Sequence, residues 1–590
     1  MAYSPKELGA SCDTCPCNGR PVVPPTIKLG KIAIVGEGPG NEEEKRLEGF
    51  VGRSGRLLNE IISETDYVRS DFTISNAALC KPYSEDEKKA SIECCRPRLL
   101  RELEEAKCPG VFALGELALY SLTGKKGLKI TAHRGSLKVL EGKPEIPVVG
   151  SFHPAFLLRD QMQLAGVVRR DLVKLTRLVE GGASQLTWLV KRDYLTLLDL
   201  SKFEGALAVD TETTREGALK CSLKSIAVAA PNVAFVTAWP PKETRITYLL
   251  AKILGDEERP KVFHNAPFDV PVLRRHGLVT KGPIIDTLIL HHLAEPDLQR
   301  HHDLGFACHD LLVVDAWKEE FRETEDEVFG RAQSRKDVIE AANREELRID
   351  ALKAALAARR ALRGAIPINK EALKALKKTF RESRTAWKSA KKRLCRSRAA
   401  LLAIDAMEDS LLEYNGRDAQ ATANLANSLF PRTNGAMARV REVEHQLLPL
   451  AITMFEKGMP VDEGARVILA KELTETMASS LETLSRLSEI KWGDGGNEKN
   501  PKSPGDRKWL LYDFLSLPVR VRTEKKGEPA TGSDAMLPHL ADPTVKALFD
   551  YDSAHKLYST FVEKLEVDKC GRAHYSWMVG AQVTGRWSSS

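Results

Sequence analysis

Across its 590 residues the chain has no uninterrupted apolar run approaching the ~18 residues that a bilayer span needs. Its first ten residues, MAYSPKELGA, lack the apolar stretch of a secretory leader. The expectation is a soluble, cytoplasmic protein with no membrane partner. An internal repeat is also missing, which excludes a solenoid or propeller. The phosphate-binding pattern GxxxxGK(S/T) is absent, so a P-loop nucleotide enzyme is excluded. Charge of one sign is not in large excess, with 88 Lys and Arg against 81 Asp and Glu for a net +7. That mild balance hides a concentration: Lys370 to Arg398 holds twelve Lys and Arg against two Glu, a local +10 that leaves the remainder at −3. What the chain does have is apolar content, 43%, enough for several cores, and its length implies three or four domains. It also has eleven cysteines, an odd number for disulfide pairing, seven of them before residue 110. That clustering points to a local metal or cluster site in a reducing compartment.

Up to about Val179, short apolar strands (KIAIVG, DFTISN, GVFALG, IPVVGSF) alternate with helical patterns, as in an α/β sandwich. The linker Gly181–Ser184 closes this first domain, residues 1–182. A second α/β pattern opens with FEGALAVDTE and fills residues 195–430, interrupted by a charged helical insertion over about 318–403. Gly364, Pro367 and Asn369 divide the insertion into two helices. Residues 440–590 read as mostly helical.

Chemistry concentrates first in the second domain. Asp210 and Glu212 stand two apart at the end of an apolar strand, so both carboxylates leave the same face and can share a cation. KVFHNAPFDVPVL places Asp269 at the start of a helix, and LLEYNGRDA puts Tyr414 and Asp418 one helical turn apart. Four carboxylates from three segments could hold two divalent ions about 4 Å apart, one generating hydroxide and the other stabilising a leaving oxygen. Each motif alone marks solvated surface in many proteins; their order, and two acids within an apolar strand, favour the joint reading. Here the sequence resembles the DnaQ-like proofreading domain of family A DNA polymerases, across Phe203 to Leu429. The resemblance implies an RNase H-like α/β fold and a 3′→5′ exonuclease. Asp210, Glu212, Asp269 and Asp418 would be ligands to two Mg²⁺ or Mn²⁺, with Tyr414 positioning water and Asn265 near the substrate.

Within the insertion, Lys370, Lys374, Lys377, Lys378, Arg381, Arg384, Lys388 and Lys391 recur at three- and four-residue steps on one helical face. Two readings stay open: a solvated helical hairpin, or a DNA-contacting face.

In the first domain, the loop GEGPG follows KIAIVG, and GFVGRSGRLL, SNAALCKP and SFHPAFLLR lie where an α/β fold holds ligands, near strand carboxyl ends. The domain thereby resembles the uracil-DNA glycosylase superfamily, most closely its iron–sulfur type, over Ser11 to Val179. The resemblance implies an α/β/α sandwich in which Glu37 lies in the water-activating loop and Phe50 stacks on a flipped base. Asn76 would read that base's edge, and His153 would stabilise the departing anion. A turn-capping Asn and a structural His before Pro are the plain alternatives. Gly38, Gly49 and Ala155 depart from the residues usual in that family, which bears on activity more than on fold. Cys12, Cys15, Cys80 and Cys95 match its cluster ligands, which implies a 4Fe–4S cluster, with zinc the alternative. Cys17, Cys94 and Cys108 are left over.

From Val443 onward the chain resembles the start and thumb of a family A polymerase, ending in VTGRWSSS, where Arg586 belongs to a substrate-binding motif of that family. The palm motifs are not among the 590 residues. The expectation is a second polypeptide carrying palm and fingers, with DNA, as single-stranded 3′ ends and primer–template, the other partner. The setting expected from these resemblances is the cytoplasm of a bacterial or virus-infected bacterial cell. Two other functions fit the same motifs: an accessory DNA-binding subunit of a split polymerase, and a glycosylase with an auxiliary exonuclease.

Overall fold

The computed structural model describes residues 3–214, 217–298, 301–319, 321, 409–493, 498–523, 527–578 and 587–589. The chain divides into two compact units, Met1–Pro449 with Met578–Ser588, and Leu450–Trp577 with Ser589–Ser590.

The first unit holds two sheets. The amino-terminal one is built from β1 (Ala33–Gly36), β2 (Thr73–Asn76), β3 (Val111–Leu114), β4 (Leu137–Leu140) and β5 (Lys143–Ser151), in the order β2-β1-β3-β5-β4. The first four strands in that order run parallel and β4 pairs antiparallel at the edge. A parallel strand needs covering on both faces, and the continuous apolar runs of β1 and β3 are fully buried. Helices α1 (Arg53–Ser63) and α4 (Ala165–Val179) supply Leu58, Ile61, Leu172 and Leu175 to one face. Helices α2 (Glu85–Glu105) and α3 (Glu116–Thr123) supply Leu99, Leu103, Leu119 and Leu122 to the other. The alternating pattern led to an α/β sandwich, and the helices on both faces give the α/β/α layering that the resemblance implies.

The second sheet comprises β6 (Val190–Lys191), β7 (Leu207–Thr213), β8 (Leu223–Ala230), β9 (Val233–Ala238), β10 (Lys261–Phe263) and β11 (Ile284–Asp286), in the order β11-β10-β7-β8-β9-β6. β7, β8 and β9 form an antiparallel meander, while β10 and β11 extend β7 in parallel. Around it lie α5 (Ala266–Arg275), α6 (Thr287–Ala294), α7 (Leu304–Leu311) and α8 (409–429). Small residues Ala419, Ala423 and Ala426 let α8 approach the sheet closely, against Ala208, Ala227 and Val236. That approach aims the first turns of α8 at the end of β7.

The two sheets share a sealed boundary. Leu298 and Phe306, from the second lobe, belong to the apolar core of the first. Across it the Arg134 guanidinium meets Asp171 and Asp310, and Arg170 forks onto Asp310 and reaches Glu295. The second unit is helical: α9 (Glu463–Ser488) packs on α10 (Pro543–Leu557) over a core of Leu484, Trp492, Leu510, Met536 and Leu548. None of the described helices is long and apolar enough to cross a membrane.

Candidate functional site

Three carboxylates of the second sheet converge as their motif order requires. Asp210 and Glu212 leave the same face at the end of β7, and Asp418 projects from α8 toward them. One oxygen from each lies within 4.8 Å of the others. Asp269, in the first turn of α5, is not in that trio; it is buried and accepts a hydrogen bond from Thr211 Oγ1 at 2.5 Å. Crowding and burial raise the proton affinity of two of them, Asp210 and Asp269. Burial, then Asp418, Asp269 and Glu212, push Asp210 well above the ordinary carboxylate value. Burial also lifts Asp269 to about 7, Thr211 opposing and Asp286 adding to it.

Several neighbours position this cluster. Asp286, at the end of β11, accepts from the backbone N–H of Asn265 at 3.0 Å and of Ala266 at 2.7 Å, fastening the start of α5. Asn265 itself adopts φ 76°, ψ 55° at the N-cap position, without a side-chain capping bond. Asn415 donates to Asp210 at 3.3 Å. Trp317 Nε1 donates to Asp418 Oδ1 at 2.6 Å, and Lys318 Nζ donates to Asp418 Oδ2 at 2.6 Å and to the Tyr414 hydroxyl at 3.0 Å. Phe321 stacks on the Tyr414 ring, with centroids 4.2 Å apart. Burial disfavours the Lys318 charge, but Asp418 and Tyr414 outweigh it and hold the ammonium well above its ordinary range. Sequence reasoning identified the acids and missed Trp317, Lys318 and Asp286. The first two stand about a hundred residues before Asp418, and no local motif ties them to it. Lys374, Lys377, Lys378, Arg381 and Arg586, with the rest of the basic helical face, lie outside the described residues.

A second site lies at the carboxyl ends of the amino-terminal strands. Phe50, Asn76 and His153 line a cavity of about 590 Å³, together with Lys88 and the loop from Gly38 to Asn41. Phe50 is buried in the left-handed region at φ 55°. Arg69 holds that loop in place, donating to the Phe50 carbonyl at 3.2 Å, to the Gly49 carbonyl, and to Asn59 at 3.0 Å. The Phe50 and His153 rings stack with centroids 6.2 Å apart. Gly36 must lack a side chain here: a Cβ would meet Asn76 Oδ1 and Phe50 Cζ, each at 2.5 Å. The Ala155 N–H donates to His153 Nδ1 at 3.1 Å. In the neutral ring the proton therefore sits on Nε2, ready to be donated. Burial lowers the His153 pKa, against the pull of Glu37, and keeps the ring neutral. Glu37 does not line the cavity; it pairs with Lys88, which does, at 2.6 Å, and accepts from Leu117 N at 3.3 Å.

The cysteines form a third cluster. Cys12, Cys15, Cys80 and Cys95 line one cavity of about 320 Å³, and so do Cys17 and Cys94. Cys108 is elsewhere, in the core under α2. Burial raises the thiols of Cys15, to about 12, and Cys80, to about 11.

The family model described as the uracil DNA glycosylase superfamily matches residues 27–174, and that of a 3′-5′ exonuclease matches residues 194–339. A type-4 uracil-DNA glycosylase of Thermotoga maritima is 37% identical over 150 residues, 24% of this chain and 75% of the relative. That of Pyrobaculum aerophilum is 32% identical over 28% of this chain and 88% of the relative. The thermostable DNA polymerase I of Thermus aquaticus is 31% identical over 186 residues, 30% of this chain and 21% of that enzyme, so only about a fifth of the polymerase's length is matched.

Proposed function

Over its amino-terminal domain the chain belongs to the type-4 uracil-DNA glycosylase family, and we propose that this domain excises a uracil-class base while the adjoining exonuclease domain trims DNA from its 3′ end. The observation that carries the second half is the convergence of Asp210, Glu212 and Asp418 within 4.8 Å. Carboxylates gathered this closely repel one another, and divalent ions turn that repulsion into ligation.

Asp210, Glu212 and Asp418, with Asp269 behind Thr211, would hold the divalent ions. Such ions, when bound, supply an activated water and stabilise the leaving 3′ oxygen. The protein's own contribution is positional. β7 and α8 fix the acids, and Tyr414, whose hydroxyl lies one helical turn from Asp418, directs the water.

In the glycosylase domain a base must leave the stack to be reached. Phe50 offers a flat face beneath it, and Asn76 offers an amide to its hydrogen-bonding edge. His153 donates from Nε2 to the oxygen on which charge develops as the glycosidic bond breaks. Glu37, in the loop expected to activate water, is paired with Lys88, and it is Lys88 that lines the pocket.

Cys12, Cys15, Cys80 and Cys95 are proposed to hold a 4Fe–4S cluster. All four line one cavity, and a zinc ion is the alternative occupant for the same four thiolates. The helical second unit is read as a thumb-like grip on duplex DNA.

One experiment tests the pair of activities: end-labelled single-stranded DNA, with and without uracil, incubated with Mg²⁺ or with chelator. The expected result is 3′ shortening that requires Mg²⁺ and uracil release that survives the chelator. DNA bound but left intact under both conditions would refute the reading and favour a binding protein.

A further inference from the structure

Lys318 belongs to none of the three exonuclease motifs, yet it touches the acidic cluster more closely than any other cation described. Its ammonium lies 2.6 Å from Asp418 Oδ2 and 3.0 Å from the Tyr414 hydroxyl, with 18% of the side chain exposed. The other Asp418 oxygen takes the Trp317 N–H at 2.6 Å. Both oxygens of one proposed ligand are thus engaged by neighbouring residues of the same chain, and the same ammonium binds the hydroxyl expected to direct water.

We propose that Lys318 is the resident counter-ion of this cluster and is displaced from Asp418 and Tyr414 when a divalent ion binds. The inference rests on the reading of Asp210, Glu212 and Asp418 as a divalent-ion site. Grouped carboxylates in a poorly solvated place need compensating positive charge. One ammonium supplies part of it, and a dication supplies more. The two repel at a few ångströms, so both cannot share Asp418 at full strength. A long, flexible lysine stem can withdraw where a rigid ligand cannot. Withdrawal also releases the Tyr414 hydroxyl, so metal loading and water positioning become one event. Lys318 acts through Asp418 and Tyr414 and is a positioning residue, not a catalytic one.

The test uses the full chain and Mn²⁺ as the probe, with free Mn²⁺ followed by electron paramagnetic resonance. Lys318→Gln and Lys318→Met are each expected to bind Mn²⁺ about tenfold more tightly than the parent, the competing ammonium being gone. Equal or weaker binding by both would overturn the proposal. Asp210→Asn separates the two readings. If it abolishes Mn²⁺ binding while the Lys318 variants bind as the parent does, the metal site stands and the displacement fails. A parent that binds no Mn²⁺ overturns both. A second measurement needs no variant: acylation of Lys318 by an amine-reactive ester, read by peptide mass spectrometry. Displacement predicts labelling at least about threefold faster with saturating Mn²⁺ than with chelator, because the freed amine becomes accessible. An unchanged rate would overturn the proposal even if the variants proved unstable.

Discussion

The Arg134 guanidinium, beside β4 of the amino-terminal sheet, lies 3.3 Å from the carboxylate of Asp310 in α7 of the exonuclease lobe, with both side chains essentially excluded from solvent. Arg134 also donates to the Phe306 carbonyl at 2.7 Å and lies over the Phe306 ring. Arg170 holds the same Asp310 through two contacts, at 3.0 and 2.9 Å. Burial opposes the charge on Asp310, yet His291, Arg134 and Arg170 keep its pKa far below the ordinary carboxylate range. The two lobes are joined by buried charge, where surface contact would leave them free to separate.

Asp310→Ala would strand two guanidiniums in that boundary. Breaking a buried pair from one side costs roughly 3–5 kcal/mol. The variant is expected to melt well below the parent in calorimetry and to lose stability in both lobes, because Leu298 and Phe306 belong to the amino-terminal core. A melting curve unchanged from the parent's would show that the boundary carries no stability.

The acidic cluster predicts an unusual response to pH in chelator. Burial, countered by Thr211 and reinforced by Asp286, raises Asp269 to about 7, and Asp210 is raised as well. A carboxyl that holds its proton more tightly when folded stabilises the fold fully below the unfolded value of about 3.8. That contribution disappears as pH rises through the folded value. Relative to an Asp269→Asn variant, which keeps the same buried histidines, the metal-free protein should therefore lose melting temperature between pH 5.5 and pH 7.5. Mg²⁺ should reverse the trend, since it binds the ionised acids and adds most at the higher pH. A chelated parent that gains stability over the Asp269→Asn variant between those two pH values would contradict the assignment.

Asp210→Asn removes one charge from the repelling group while keeping its shape. Exonuclease activity should fall about a thousandfold or more, the scale seen when one member of a catalytic unit is removed. The metal-free variant should be as stable as the parent or more so, because a buried like-charge contact is gone. Uracil release should be unaffected, since Asp210 is remote in sequence and fold from Phe50, Asn76 and His153. An Asp210→Asn protein that trims 3′ ends at the parent rate would remove the cluster from the mechanism.

Local patterns in the sequence located these sites unevenly. Alternation in β7 placed Asp210 and Glu212 on one face, and one turn of helix set Tyr414 beside Asp418, so both were legible from spacing alone. The carboxyl ends of β1, β2 and β5 likewise put Glu37, Asn76 and His153 at one edge of the sheet. Contacts made only by folding were not legible. Lys318 reaches Asp418 from the far side of a long insertion, and Arg134 finds Asp310 across two lobes. Lys88, which no motif singles out, fastens Glu37. Nor did spacing distinguish Cys17 and Cys94 from the four cysteines matched to a cluster, since all six line the same cavity.

Gly36→Ala tests the base-binding edge with a single methyl group. The added Cβ would stand 2.5 Å from both Asn76 Oδ1 and Phe50 Cζ, inside any normal contact. Neither neighbour can retreat freely. Phe50 is buried on a backbone at φ 55°, clamped by Arg69 through the carbonyl at 3.2 Å, and the Asn76 carbonyl is held by Arg98 at 2.8 Å. Overpacking of this kind costs about 1–3 kcal/mol, so the protein should still fold. The strain falls on the two groups proposed to stack on and read the flipped base, where displacement of about 1 Å costs roughly a hundredfold in rate. Uracil release from single-stranded DNA should drop by that factor or more while Mg²⁺-dependent trimming persists, because the exonuclease acids lie on another sheet. If Gly36→Ala releases uracil as fast as the parent, Asn76 and Phe50 do not form the base slot.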